Sequence, residues 1–397
     1  MSLRALARDL GVAARLGTAA LRRRLTRGPD YAAPPDVRAW RAGLEDWLRT
    51  VPASVLAGHR FVDVPADRPP WTPSGFEVRR GQAITWFAAG RVYLSRALDV
   101  WVQPSFQLWA RVGPGGTVFR GTRATHTCEA TRDGEVQFAS YFPGEWASRE
   151  GTLGHGAGDY HKVSGGMCVL LLAWQPGVDV RRWLEEAALV PGAPGPVRAE
   201  VARLREPPQT PAGWEYLWFV GPGEIYRPAV SPAGRPSICC STHGDAGILQ
   251  HEARWPLAPG TRLGWQWRID RLPTRLREDS LLSHEYMSIA VEFDDGQDLT
   301  YYWSSALPEG TVYRCPLPSW SGRETHVVVR SGTGNLGRWL DEERDVYADY
   351  HSIIGGRATM VVRVWLIAIS LFQRDEGRCE YSRIELQGPD GGRLAVL

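Results

Sequence analysis

The stretch His284–Ser305, HEYMSIAVEFDDGQDLTYYWSS, constrains this chain more than any other. Met287, Ile289, Val291 and Phe293 alternate with Tyr286, Ser288, Ala290 and Glu292, a period of two that gives one apolar and one polar strand face. Asp294, Asp295 and Gly296 supply turn chemistry, after which Leu299, Tyr301 and Trp303 alternate with Thr300, Tyr302 and Ser304. The pattern predicts a β-hairpin whose apolar side lies on a core and whose other side carries Tyr, Ser, Thr and Glu.

A chain of 397 residues is long enough for two or three domains, each with its own core. The balance of 46 cations against 44 anions leaves a net charge of +2, which excludes a global field suited to nucleic acid. Lys162 is the only lysine, as the codon usage of a GC-rich, bacterial genome would give, and carries no functional weight. The 18 Trp and 13 Tyr suit half-buried strands, interfaces and sugar-binding platforms, and most are expected in cores. The six cysteines form no CxxC pair, and Cys239 and Cys240 point to opposite sides of a strand. Buried thiols in a reducing compartment are therefore expected, hence a cytoplasmic location. No run approaches the ~20 apolar residues of a membrane span.

Along the chain, residues 1–28 read as a basic amphipathic helix, with Leu3, Leu6, Leu10, Ala13, Leu16, Ala20 and Leu21 at helical spacing among arginines. Such a helix either lies on an anionic membrane surface, giving a membrane-peripheral protein, or docks as a terminal element. A second helix is expected over 36–49, packing Trp40, Leu44, Trp47 and Leu48. From Phe61 to Trp174, short segments such as AITWF, FQLWARV, TVFRG and EVQFASYF alternate with turn residues, the mark of an antiparallel sandwich. Residues 175–213 read as a Pro/Gly-rich, partly helical connector. A second set of strands begins near Trp214, with EYLWFV, PSICCSTH, RLGWQWRID, ETHVVVRS, MVVRVWLIAISLF and CEYSRIEL, interrupted by one helix over 337–353. The expected architecture is mainly β: an N-terminal helical segment (1–55), an antiparallel β-sandwich (56–174), the connector (175–213) and a second sandwich (214–397).

Two resemblances bear on this. GQAITWFAAGRVYLS, LWARVGPGGTVFRGT and VQFASYFPGEWASREGTL resemble the calcium-dependent galactose-binding lectins of the PA-IL type, which implies a jelly-roll sandwich. In those lectins the matching loop brings an Asp, a Thr and paired Asn oxygens to calcium. Here Phe142–Trp146 offers one carboxylate, Glu145, so neither a metal nor another cofactor is expected. Tyr141, Glu145 and Trp146 remain candidates for a calcium-independent sugar site. Trp265-Gln266-Trp267-Arg268, Tyr302-Trp303, RWLDEERDVYADY and WLIAISLF resemble the domain of unknown function 3047 family, which implies a galactose-binding-like β-sandwich and no established chemistry.

Alternation also sorts the remaining C-terminal strands. Gln266, Arg268 and Asp270 share one face, His326 and Arg330 another, and His243 sits with Ser241. Together with Tyr286, Ser288, Glu292, Thr300 and Tyr302 these residues are expected to meet on one wall. Tyr, His, Arg and Ser are typical of ligand-contacting faces, whereas a merely solvated face is rich in Lys, Thr and Glu. A protein binding a glycan or other polar small molecule is the reading this supports, with Arg268, Gln266, Tyr286, Ser288, Arg330 and His243 as ligand contacts. Its alternative is a glycan hydrolase or lyase, in which Glu292 or His326 moves the proton, Tyr302 assists, and Arg268 or Arg330 steadies negative charge. A membrane-peripheral scaffold is the third. Arg344, Asp345 and Asp349 are read as an anchor of the expected 337–353 helix.

Overall fold

The computed structural model describes residues 3–26, 36–154, 157–373 and 375–397. Residues 1, 2, 27 and 28 of the expected basic helix lie outside the described residues. Two compact units emerge: one of residues 23–208 and 218–222, the other of residues 1–22, 209–217 and 223–397. Among the described residues no helix is long and apolar enough to cross a membrane.

The first unit has three layers. Its helices are α2 (Val37–Leu48), α3 (Pro104–Gln107), α4 (Val180–Leu189) and α5 (Gly195–Arg205), following α1 (Leu3–Thr26). Its strands are β1 (Leu56–Pro65), β2 (Thr72–Val78), β3 (Ala83–Ser95), β4 (Val100–Val102), β5 (Leu108–Val112), β6 (Thr125–Glu129), β7 (Gly134–Ser140) and β8 (Ser164–Trp174). One sheet runs β1-β8-β3-β4 with β6 also on β3, and the other runs β2-β7-β5. Trp86 of β3 meets Phe138 of β7 edge-to-face at 5.9 Å, which marks the sandwich interior. The opposite face of β3 and β8, with Phe87, Leu170 and Leu172, is covered by Trp40, Leu44, Leu184 and Val201 of the helices. Asp36 caps α2, its carboxylate accepting from the Arg38 and Ala39 amides at 2.9 and 3.0 Å. Gly90 has φ +130°, and a Cβ there would lie 2.3 Å from the Gly166 carbonyl oxygen of β8. TVFRG forms no strand, only a bridge from Phe119 to Ala110.

In the second unit the strands are β9 (Glu215–Tyr216), β10 (Tyr226–Val230), β11 (Pro236–His243), β12 (Ala246–Pro256), β13 (Arg262–Arg271), β14 (Met287–Phe293), β15 (Asp298–Ser304), β16 (Val312–Arg314), β17 (Glu324–Ser331), β18 (Trp339–Asp345), β19 (Met360–Ile369), β20 (Glu376–Gln387) and β21 (Arg393–Ala395). One sheet runs β10-β11-β20-β13-β18 with β21 on β20; the other runs β16-β17-β15-β14-β19-β12-β9. The hairpin is β14-β15, and its apolar set Met287, Ile289, Val291, Leu299, Tyr301 and Trp303 packs in the inter-sheet core with Trp265 and Trp267. Trp265 stacks on Tyr301 at 5.9 Å. In α1, Val12 and Leu16 are buried while Leu10 and Leu21 are exposed.

Three departures from the expected elements matter. The expected 337–353 helix begins as strand β18, and only its second half is helical, the four-residue α6 (Val346–Asp349) running on into a π-helical turn, Tyr350–Ile354. EYLWFV contributes only Glu215 and Tyr216 to the sheet. And β15 pairs with β17 in parallel, where every pair was expected antiparallel. A parallel neighbour requires a crossover. Here residues 305–323 make it, running out to edge strand β16 beyond β17 and back with Trp320 against Trp365 of β19, and every residue of both hairpin strands is buried.

Candidate functional site

Beneath that crossover lies a buried polar layer. Residues 272–286 cover one end of it and 305–323 the other. Glu278, 1% exposed, accepts hydrogen bonds from Ser304 Oγ at 2.5 Å, from the Ser305 amide at 2.7 Å and from Ser305 Oγ at 2.6 Å. Glu285 accepts from the Phe372 and Gln373 amides and the Gln373 side chain, and burial raises its pKa to about 8. These carboxylates pin the covering segments to the sheet through charge-assisted bonds.

Deeper in, the Glu324 carboxylate accepts from Tyr286 Oη at 2.9 Å and Thr300 Oγ1 at 3.2 Å. Burial opposes its charge, but His326, His284 and Cys315 outweigh that and hold its pKa at about 2. His284 Nδ1 lies 2.8 Å from the Glu278 carbonyl oxygen, and Nε2 lies 3.3 Å from Cys315 Sγ. Burial, then His326, lowers the His284 pKa to about 3, while burial and Glu324 push the Cys315 thiol upward. His326 is enclosed by rings: Tyr313 stacks at 5.0 Å, with His284 at 4.8 Å and Tyr286 at 4.9 Å edge-on. Among the described residues, His284, Cys315, Glu324 and His326 form the group able to hold a metal, their donor atoms all within 4.8 Å of one another.

The residues expected on one wall occupy separate places. Tyr286, Ser288, Tyr302 and His326 do share the outer face of the hairpin sheet, but under the crossover. Tyr302 accepts from Tyr313 Oη at 3.0 Å, and Ser288 Oγ is buried without a partner. Gln266 and Arg268 lie on the outer face of the opposite sheet. There Gln266 donates to Asp341 at 2.7 Å, and Arg268 pairs with Asp270 at 3.0 Å and Glu380 at 3.3 Å. His243 is exposed at the end of β11 in that same sheet. Arg330 and His326 do not share a face. The β15-β17 register slips between Val328 and Arg330, pairing Arg330 with Trp303 rather than with a polar-face residue. Arg330 then clasps Glu342 of β18 at 2.7 and 3.1 Å. Arg344 binds Asp349 in the same forked way, and Tyr301 Oη donates to Asp349 at 2.9 Å.

Glu292 alone reaches solvent from the hairpin face. Its carboxylate sits between Arg323 at 3.2 Å and Arg363 at 2.8 Å. It lines an open cleft of about 390 Å³ with Glu252, Arg254, Asp294, Gly296 and Arg363. Two register slips shape this cleft, one in β12 between Glu252 and Trp255 and one in the β14-β19 pairing, where Val362 is the extra residue opposite Glu292 and Phe293. Arg254 lies inside the first, at φ +47°, and its side chain turns to Glu252 at 2.6 Å. Bulges aim side chains away from the regular pleat, and here they bring together charges of both signs.

In the first unit, Tyr141, Glu145 and Trp146 do come together, as an aromatic cluster rather than an open loop. Tyr141 Oη donates to the Glu145 carbonyl at 3.1 Å, Tyr160 Oη donates to its carboxylate at 2.6 Å, and Trp146 packs 4.3 Å from Tyr141. A larger cleft of about 640 Å³ includes Asp63, Arg68 and Trp71. The Trp71 ring is already packed by Trp146 at 5.4 Å and by the Arg111 guanidinium at 4.2 Å.

Sequence reasoning passed over His284, Cys315 and Glu324. A signal for one was present: Glu324 precedes His326 by two residues, so the alternation that marks His326 places Glu324 beside it.

Residues 212–385 match the family model described as Protein of unknown function (DUF3047), the family that the C-terminal motifs resemble. No curated protein matches the sequence. Among solved structures, the chain is similar to the PllA-like lectin that is the EclA N-terminal domain, at 14% identity and TM-score 0.24, covering 31% of this chain and 99% of that one. It is similar to the xyloglucanase domain of NopAA, a type three effector from Sinorhizobium fredii in complex with cellobiose, at 12% identity and TM-score 0.29, covering 45% and 95%. TmCBM61 in complex with beta-1,4-galactotriose follows at 12% identity and TM-score 0.23, covering 44% and 88%. No residue role is carried over from these structures.

Proposed function

We propose that the C-terminal β-sandwich binds a glycan or another polar small molecule, and that it does so at the cleft beside Glu292. The observation that carries this is the bulged rim, where Glu252, Glu292 and Asp294 alternate with Arg254 and Arg363 around about 390 Å³. Sugar hydroxyls donate and accept at once, so a rim of carboxylates and guanidiniums satisfies both roles. The volume falls within the roughly 300–1,000 Å³ of small-molecule sites. The hollow on the opposite sheet, beside Gln266 and Asp341, is about 230 Å³ and falls short of that range. Binding without turnover is favoured over catalysis, because His326 and Tyr302 are wholly buried and neither lines the cleft beside Glu292.

Arg254 is the residue to test, since it is mostly exposed and pairs only locally with Glu252. Glycan-array screening followed by calorimetry on the hit should show Arg254→Ala weakening affinity at least about tenfold, the loss of roughly one charge-assisted hydrogen bond. Stability should stay within about 0.5 kcal/mol of the parent. Unchanged affinity in Arg254→Ala, or a product released from the bound glycan, would remove this reading.

A further inference from the structure

We propose that His284, Cys315, Glu324 and His326 form a closed four-ligand site for a divalent cation of the zinc class, which fastens the two covering segments to the sheet. The four side chains come from three places: His284 from the segment before β14, Cys315 from the crossover, and Glu324 and His326 from one face of β17. Their donor atoms lie within 4.8 Å of one another. Tetrahedral coordination at zinc–ligand lengths of about 2.0–2.3 Å needs donor separations of about 3.3–3.8 Å, so a contraction of about 1.5 Å at most completes the site.

Each donor is oriented from outside. The Glu278 carbonyl can only accept, so His284 carries its proton on Nδ1 and turns the Nε2 lone pair toward Cys315. A bond donated by the far imidazole N–H to a backbone carbonyl is the usual support of a metal-bound histidine. Tyr286 and Thr300 hold Glu324 through one oxygen. His326 supplies the independent observation. It is 0% exposed, and neither ring nitrogen has a hydrogen-bond partner; Nε2 comes within 3.4 Å of Glu324 but is misaligned. Coordination through a ring nitrogen gives this orphaned group its partner.

Charge closes the account. As a dication enters, the Cys315 S–H bond breaks, its proton leaves to solvent, and a sulfur–metal bond forms. One thiolate and one carboxylate then cancel the two positive charges, and both imidazoles coordinate as neutral rings. Thiolate and imidazole donors select zinc over magnesium or calcium, which prefer oxygen. With all four ligands buried, no coordination position faces solvent, the pattern of a structural rather than a catalytic site. A thiol–imidazole nucleophile pair is the rival reading. It lacks both access and a carboxylate on His284 Nδ1.

The full-length chain, stripped with chelator and returned to zinc, should bind one equivalent and recover thermal stability that magnesium does not restore. Cobalt in its place should give a thiolate-to-metal charge-transfer band and the visible bands of tetrahedral coordination. Cys315→Ser should lose that charge-transfer band and weaken zinc binding more than about 100-fold, whereas Cys240→Ser should keep both. Should Cys315→Ser fail to fold, the stripped parent decides the matter. No zinc uptake, no zinc-dependent stability, or a cobalt spectrum of octahedral oxygen ligation overturns the assignment, as does a charge-transfer band that survives in Cys315→Ser.

Discussion

A single side chain shows how burial sets behaviour in the first unit. His126 of β6 packs 4.6 Å from Trp86, and its Nδ1 is buried without a partner. Burial and then Arg203 lower its pKa to about 4, with Glu200 offsetting part of the effect. The folded chain therefore keeps this ring neutral where the unfolded chain, near 6.5, binds a proton. Stability is whole above the unfolded value and falls as pH drops from about 6.5 toward 4, by up to about 1.4 kcal/mol per pH unit. Urea unfolding of the parent and of His126→Phe at pH 7, 6 and 5 should show that the substitution removes part of the parent's loss. Equal slopes in both would assign the acid sensitivity elsewhere.

At the level of elements, legibility depended on whether a pattern had one physical meaning. The α2 helix was readable because Asp36 caps it and Trp40 and Leu44 fall on its buried side. The hairpin was readable because its apolar alternation admits one register. Strand β18 was misread because Trp339, Val346 and Tyr350 fit helical spacing as well. Its Asp341, Glu342 and Glu343 are what an edge strand uses to repel a neighbour. The slip at Val329 left no trace, since three consecutive valines carry no alternation to interrupt. Tyr302 and His326 were correctly placed on a polar face, but polarity alone does not distinguish water from a covering loop that satisfies the same groups. Close strand packing in the first unit is testable: Gly90→Ala should cost about 2–4 kcal/mol through overpacking and strain. Gly81→Ala, which meets nothing within 4 Å, should cost less. Equal denaturant midpoints for the two would contradict the backbone clash.

For the molecule as a whole, two separate cores imply two unfolding events rather than one. A metal held only in the second should act on one of them. Calorimetry with zinc at about 1,000 times its dissociation constant, against chelator, should move one transition by about 8–16 °C and leave the other in place. A uniform shift would argue against localisation to the C-terminal unit. The alternating strand segments and the abundance of Trp and Tyr announced the β-rich class early. The place of the site was hidden because it depends on a crossover that brings residues 284, 315, 324 and 326 together.

That crossover also sets an order of events in time. The β14-β15 hairpin closes through a tight turn at Asp294–Gly296, whereas β17 can find β15 only after 19 intervening residues, 305–323, have looped across the sheet. Loop-closure entropy favours the near pairing first. Cys315 and His326 therefore reach His284 late, and capture of the ion would register the closing step of the chain's assembly.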